Sequence, residues 1–168
     1  WSLNTSYVWS KLSGNTNTDS YYTGTPNAPE LTTEWDFPVS NNNTMGTLPN
    51  DRTHQLKVYG AYQVFDAMSI GANLHIASGR PTSKLGKSNP LDPNWTEYGH
   101  GHTFYQANGE FNQRGAAGRT DTLINLDLNA QYVTRLYGVD IEMALAVFNV
   151  FDANAVTRTD EHVELDYY

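Results

Sequence analysis

"TLINLDLNAQYV", residues 122–133, alternates with a period of two. Ile124, Leu126, Leu128, Ala130 and Tyr132 share one parity, and Asn125, Asp127, Asn129 and Gln131 share the other. Successive side chains of a strand point to opposite faces, so this ribbon has one oily face and one wet face. The fold turns on what covers the oily face, a protein core or lipid.

Four more segments alternate in the same way. The expected strands are residues 1–11, 52–64, 68–79, 120–135 and 139–151. In the first, Trp1, Leu3, Thr5, Tyr7 and Trp9 oppose Ser2, Asn4, Ser6 and Ser10. In the last, Val139, Ile141, Met143, Leu145 and Val147 oppose Asp140, Glu142, Ala144 and Ala146. No helical period competes. The connections carry as much information as the strands. "FDA" (65–67) and "RLYG" (135–138) have hairpin length, and Asp66 and Gly138 are good turn residues. Residues 12–51 and 80–119 are long stretches rich in Asn, Thr, Gly and Pro, and 152–168 reads as the start of a third. An up-and-down meander with these connections sends every long loop out of one end and every tight turn out of the other.

Compact soluble domains rarely carry two loops of that length. Their strands usually run to about 5 or 6 residues. Trp1, Trp9, Tyr62, Tyr132 and Tyr137 lie toward segment ends, where an interfacial girdle needs aromatics. Shifting the register of 122–133 by one residue would push Asn125, Asp127, Asn129 and Gln131 into hydrocarbon. An ionisable group there costs on the order of 2–3 kcal/mol. The expected fold is therefore all-β: an antiparallel, up-and-down transmembrane β-barrel segment, with residues 1–168 forming part of one barrel domain. A soluble β-sandwich that binds carbohydrate through loop aromatics fits the alternation too. A passive porin or adhesin-type barrel is a further alternative.

The totals narrow the classes. The chain has 168 residues, 10 basic and 18 acidic, for a net charge of −8. Nucleic-acid binding needs basic surface, so no nucleic-acid partner is expected. There is no cysteine, which excludes a disulfide framework and thiolate metal sites. No apolar run approaches the roughly 20 residues of a membrane helix. The opening "WSLNTSYVWS" is not built like a signal peptide and reads as a strand already under way. Five strands cannot close, since the smallest membrane barrels use about 8. The remaining strands are expected from elsewhere in a longer chain.

Candidate site residues concentrate in the long loops. Trp35, Trp95, Tyr98, Phe104 and Tyr105 are candidates for ligand contact, or for packing the loops on one another. His100 and His102, in "GHGH", are weak candidates for a transition metal, with Glu97 and Glu110 near in sequence. Asp19, Glu30, Glu34, Asp36 and Asp51 make the first loop acidic. That suits either a solvated surface or Ca2+ held without EF-hand spacing. His75, Asp140 and Glu142 read as wall residues on the wet face. No nucleophile-elbow setting occurs, so neither an enzyme nor a cofactor is expected.

Four stretches, taken together, carry a family resemblance: "LPNDRTHQLKVYGAYQV" (48–64), "SIGANLHIASGRPTS" (69–83), "RGAAGRTDTLINLDLNAQYV" (114–133) and "MALAVFNVFDANAV" (143–156). In order and spacing they resemble the late barrel strands of TonB-dependent outer-membrane receptors, most nearly the Oar-like branch. "VFNVFDAN" is similar to the family's hydrophobic-Phe-Asn signature, with Asp152 at the last polar position. The resemblance implies a barrel of roughly 22 strands with a plug in its lumen. It implies outer-membrane lipid and lipopolysaccharide around the wall, loops facing the cell exterior and energy drawn through TonB. The parent's expected task is moving a large or scarce solute across the outer membrane, with peptide or protein among the possible cargoes.

Overall fold

The computed structural model describes residues 1–15, 44–86, 106–107, 110–161 and 163. Among them all regular structure is strand: β1 (Ser2–Trp9), β2 (Ser13–Gly14), β3 (Gly46–Thr47), β4 (His54–Phe65), β5 (Met68–Ala77), β6 (Pro81–Thr82), β7 (Gln106–Ala107), β8 (Glu110–Phe111), β9 (Gly118–Arg119), β10 (Leu123–Leu136) and β11 (Val139–Val147). The chain divides into two units. One comprises Trp1–Ser10, Thr53–Ser78 and Asp121–Ala155, the other Lys11–Arg52, Gly79–Thr120 and Val156–Tyr168.

The first unit is a single antiparallel sheet in the order β1-β4-β5-β10-β11. It fits a section of a β-barrel and is not closed. Its register lines the oily parities up across strands. Leu3, Gly60, Ala72, Leu128 and Val147 form one row, and Thr5, Val58, Leu74 and Leu126 the next. On the other parity, Asn4, Tyr59, Asn73 and Asp127 form a row, and Ser6, Lys57, His75 and Asn125 another. Gly60 sits where β1 comes close: a Cβ there would run into the Ser2 carbonyl oxygen and lie 3.3 Å from Leu3 Cα.

Both tight turns lie at one edge of the sheet. Asp66 and Ala67 join β4 to β5, and a bulge between Gln63 and Phe65 adjusts the register just before them. Gln63 Nε2 donates to the Phe65 carbonyl at 2.7 Å, which holds the bulge. Tyr137 and Gly138 join β10 to β11 with φ of 53° and 84°. Two positive φ values in a two-residue loop match the twist of the flanking strands. Trp9, His54, Ala77 and Leu123 mark the opposite edge, from which the long connections depart. β11 stops at Val147, short of the expected 151, because Asn149 and Asp152 take φ of 50° and 48°. Such values turn a strand out of line.

Among the described residues only Leu48, Ala77 and Leu85 are buried hydrophobics. A soluble sandwich of this length would bury both inner sheet faces. Here Leu128, Met143 and Leu145 remain 41%, 51% and 66% exposed. The second unit holds the short pairs β2–β3, β6–β9 and β7–β8, and a parallel bridge links Gly46 of β3 to Arg114. Among the described residues of that unit, the polar Thr44, Asp51, Ser83, Arg114 and Glu161 are buried beside Leu48 and Leu85.

Candidate functional site

The two faces of the sheet differ in chemistry. On the oily face lies an open trough of about 870 Å³, lined by small Gly60, Ala72 and Ala130 and by large Leu3, Tyr62 and Leu128. Trp1, Tyr62, Phe65 and Tyr132 lie toward the edge with the tight turns, where Phe65 and Tyr132 meet edge to face at 6.3 Å. Tyr7 and Trp9 lie toward the other edge, and the Tyr7 hydroxyl bonds His54 Nδ1 at 2.8 Å.

The wet face carries a network that ties β10 to the turn after β11. Asp127 Oδ1 accepts from Asn125 Nδ2 at 2.9 Å and from the Asn149 amide at 3.0 Å. The Val150 amide donates to the Leu126 carbonyl at 2.8 Å, and the Asp152 amide to the Asn149 carbonyl at 2.8 Å. The Asn149 side chain closes the turn, accepting from the Ala153 amide at 3.0 Å and donating to the Ala153 carbonyl at 3.2 Å. Asparagine suits this place because it tolerates positive φ and bonds nearby backbone. Bonds to a charged acceptor contribute more than neutral ones, so Asp127→Ala is expected to cost about 1.5–3 kcal/mol. Faster hydrogen exchange at the Asn149 amide of the folded protein would register that loss, and unchanged exchange would refute it.

Beside this turn lies a cavity of about 350 Å³, lined by His75, Leu123, Asn125, Asn149, Asn154 and Ala155 among others. His75 Nε2 is buried, without a hydrogen-bond partner among the described residues. His75 is thus half-buried in a cavity wall, where sequence alone reads it as water-facing. Elsewhere on the wet face, Glu142 accepts from Gln131 Nε2. Asp140 pairs with Arg135 at 3.4 Å, with both side chains largely exposed.

In the second unit the charged residues of three quoted motifs converge. Asp51, 1% exposed, accepts from the Leu12 amide at 2.7 Å and pairs with Arg119 at 2.5 Å. Arg119 also donates to the Gly79 carbonyl at 2.8 Å. Arg80 pairs with Glu161 at 2.6 Å, and Glu161 accepts from the Ser83 amide at 2.6 Å. Arg114 Nη1 donates to the Thr44 carbonyl at 3.3 Å. Burial, then the neighbouring Arg80 and Arg119 cations, lower the pKa of Arg52, with Asp51 acting in the opposite sense. The cluster works as an internal brace. None of these pairs figured among the sequence-derived candidates, although Gly79 and Pro81 flank Arg80 and Gly118 precedes Arg119.

Trp35, Trp95, Tyr98, Phe104, Tyr105, His100 and His102 lie outside the described residues, as do Asp19, Glu30, Glu34, Asp36 and Glu97. Glu110 is exposed. Among the described residues no three His, Asp or Glu side chains gather as a metal site requires. No helix among them is long and apolar enough to cross a membrane, which says nothing of crossing by strands.

An open antiparallel meander with one oily face, one wet face and aromatic ends is the build of a barrel-wall section. The chain is similar to the TonB-dependent transporter Oar of Myxococcus xanthus, at 29% identity over 172 residues. That match covers 96% of this chain and 14% of the relative's length, and it supports a relation to TonB-dependent receptors. No family model matches the chain, and no solved structure matches it.

Proposed function

We propose that this chain forms part of the barrel wall of a TonB-dependent outer-membrane transporter. The observation that carries the reading is an oily sheet face with large side chains exposed along it, from Leu3 at 61% to Leu145 at 66%. Hydrocarbon covers that face, and the wet face lines the lumen. The open edges of β1 and β11 are completed by other strands of the parent chain, because unpaired backbone has no partner in lipid. The plug, the contact with TonB and the energised passage of a large or scarce solute belong to the parent. Lipopolysaccharide borders the outer rim, and the long connections face the cell exterior. The role is one of transport, without catalysis or a cofactor. The similarity to the Oar transporter supports this assignment.

These 168 residues hold no cysteine, so a cysteine introduced among them is the single thiol of this stretch. In the parent protein in outer-membrane vesicles, cysteine at Leu128 or Leu145 is expected to resist a membrane-impermeant maleimide. Cysteine at Asn73 or Gln131 is expected to react once the lumen is open to it. Equal labelling on both parities would remove the wall assignment.

A further inference from the structure

We propose that the described parts of the three long connections open as one body, with residues 113–120 as the bar that couples them. The device lies wholly within the second unit. Ser83 and Gly115 are its joints. The buried Glu161 carboxylate, from the third connection, accepts from the Ser83 amide at 2.6 Å and pairs with Arg80. The Ser83 hydroxyl in turn accepts from the Gly115 amide at 2.9 Å. On its other side Gly115 lies hard against the first connection. A Cβ there would stand 2.5 Å from the Thr47 carbonyl oxygen, and φ is 71°. Four residues thus make a continuous line, from Glu161 through Ser83 and Gly115 to Thr47.

Further bonds run beside that line on every side. Toward the first connection, the Thr47 amide donates to the Arg114 carbonyl at 3.1 Å, and Arg119 pairs with Asp51. Toward the start of the second, the Ala117 amide donates to the Thr82 carbonyl and the Thr120 amide to the Arg80 carbonyl, both at 2.9 Å. The third is stitched to the second at Leu85, whose amide donates to the Glu161 carbonyl at 2.9 Å and whose carbonyl accepts from the Val163 amide at 2.9 Å. Asp51, Ser83, Arg114 and Glu161 are buried. An opened joint would therefore strand a polar group away from water, and that penalty makes the joints break together. A hold on one connection then biases the other two, and the coupling is reciprocal. The device does not depend on what covers the oily face of the sheet.

Amide hydrogen exchange in the folded full chain is the test. Glu161→Ala is expected to speed exchange at the Ser83 amide, which loses its acceptor, roughly ten- to a hundredfold. The Thr47 amide, bonded to Arg114 and not to Glu161, is expected to follow by a similar factor. Gly115→Ala tests the reverse direction: its Cβ forces Thr47 away, and the Leu85 amide, bonded to Glu161, is expected to speed up in turn. Should Glu161→Ala fail to fold, Glu161→Gln, which loses the charge and keeps an acceptor, gives the same pattern at smaller scale. The Ala130 amide, inside β10, is the control and is expected to keep its protection. Acceleration at Ser83 without Thr47 would overturn the proposal, since the connections would then open separately. Equal acceleration at Ala130 would overturn it too, because the whole chain would then unfold together. No acceleration at any of these amides would show that Glu161 latches nothing.

Discussion

Leu128→Arg is expected to weaken the lipid-folded parent barrel by about 2–4 kcal/mol, the cost of a cation at mid-bilayer on a barrel's outer face. Leu128 pairs with Ala72 on β5 and Val147 on β11, well inside both edges of the sheet. Asn73→Arg is the matched control. It lies on the opposite face, is exposed, and pairs with Asp127, so an arginine there meets a carboxylate and water. Urea titration in lipid vesicles, read by heat-modifiable gel mobility, measures both. A neutral Leu128→Arg would mean water on the oily face, and the wall assignment would fall. Were the face covered by protein instead, Leu128→Ala would leave a core cavity and cost about 2–5 kcal/mol. Against lipid tails, which close over the gap, that loss is expected to be much smaller.

Asp51→Ala carries the second large effect. The carboxylate is 1% exposed and holds both the Leu12 amide and Arg119. Removing one partner of a buried pair costs about 3–5 kcal/mol, because the other partner keeps its charge. The Arg119 side chain is 35% exposed, so water offsets part of that and the lower end is expected. Hydrogen exchange in the parent protein gives the measurement. The Leu48 amide, bonded to the Leu12 carbonyl, should exchange more than about a hundredfold faster. Asp51→Asn keeps an acceptor for Leu12 and should lie between wild type and Asp51→Ala. Unchanged Leu48 exchange in Asp51→Ala would show that the brace holds nothing.

The sheet was legible because its chemistry is local. A period of two in residues 122–133 fixes which side chains share a face, and Asp66 and Gly138 announce the hairpins. The brace was not legible, because Asp51 meets Arg119, and Arg80 meets Glu161, across long sequence separations that leave no period. Glu161 illustrates this: the stretch 152–168 reads as the start of a loop, yet that side chain is buried against Arg80 and Ser83. The end of β11 was partly legible. Asn149 and Asp152 are the residue types that accept positive φ, but the oily Val147, Phe148, Val150 and Phe151 around them mimic a continuing strand. The cavity beside His75 needed both sheet register and that turn, and neither piece signals it alone.

The spacing of the strands along the chain also sets the order in which the wall can assemble. β4 and β5 are separated only by Asp66 and Ala67, and β10 and β11 only by Tyr137 and Gly138. β1 reaches β4, and β5 reaches β10, only after residues 10–53 and 78–122 have looped back. Joining distant ends costs entropy that rises with loop length, whereas a hairpin closes in roughly 1–10 μs. The two hairpins are therefore expected to zip first as finished pairs, with β1 and the two pairs docking side by side afterwards.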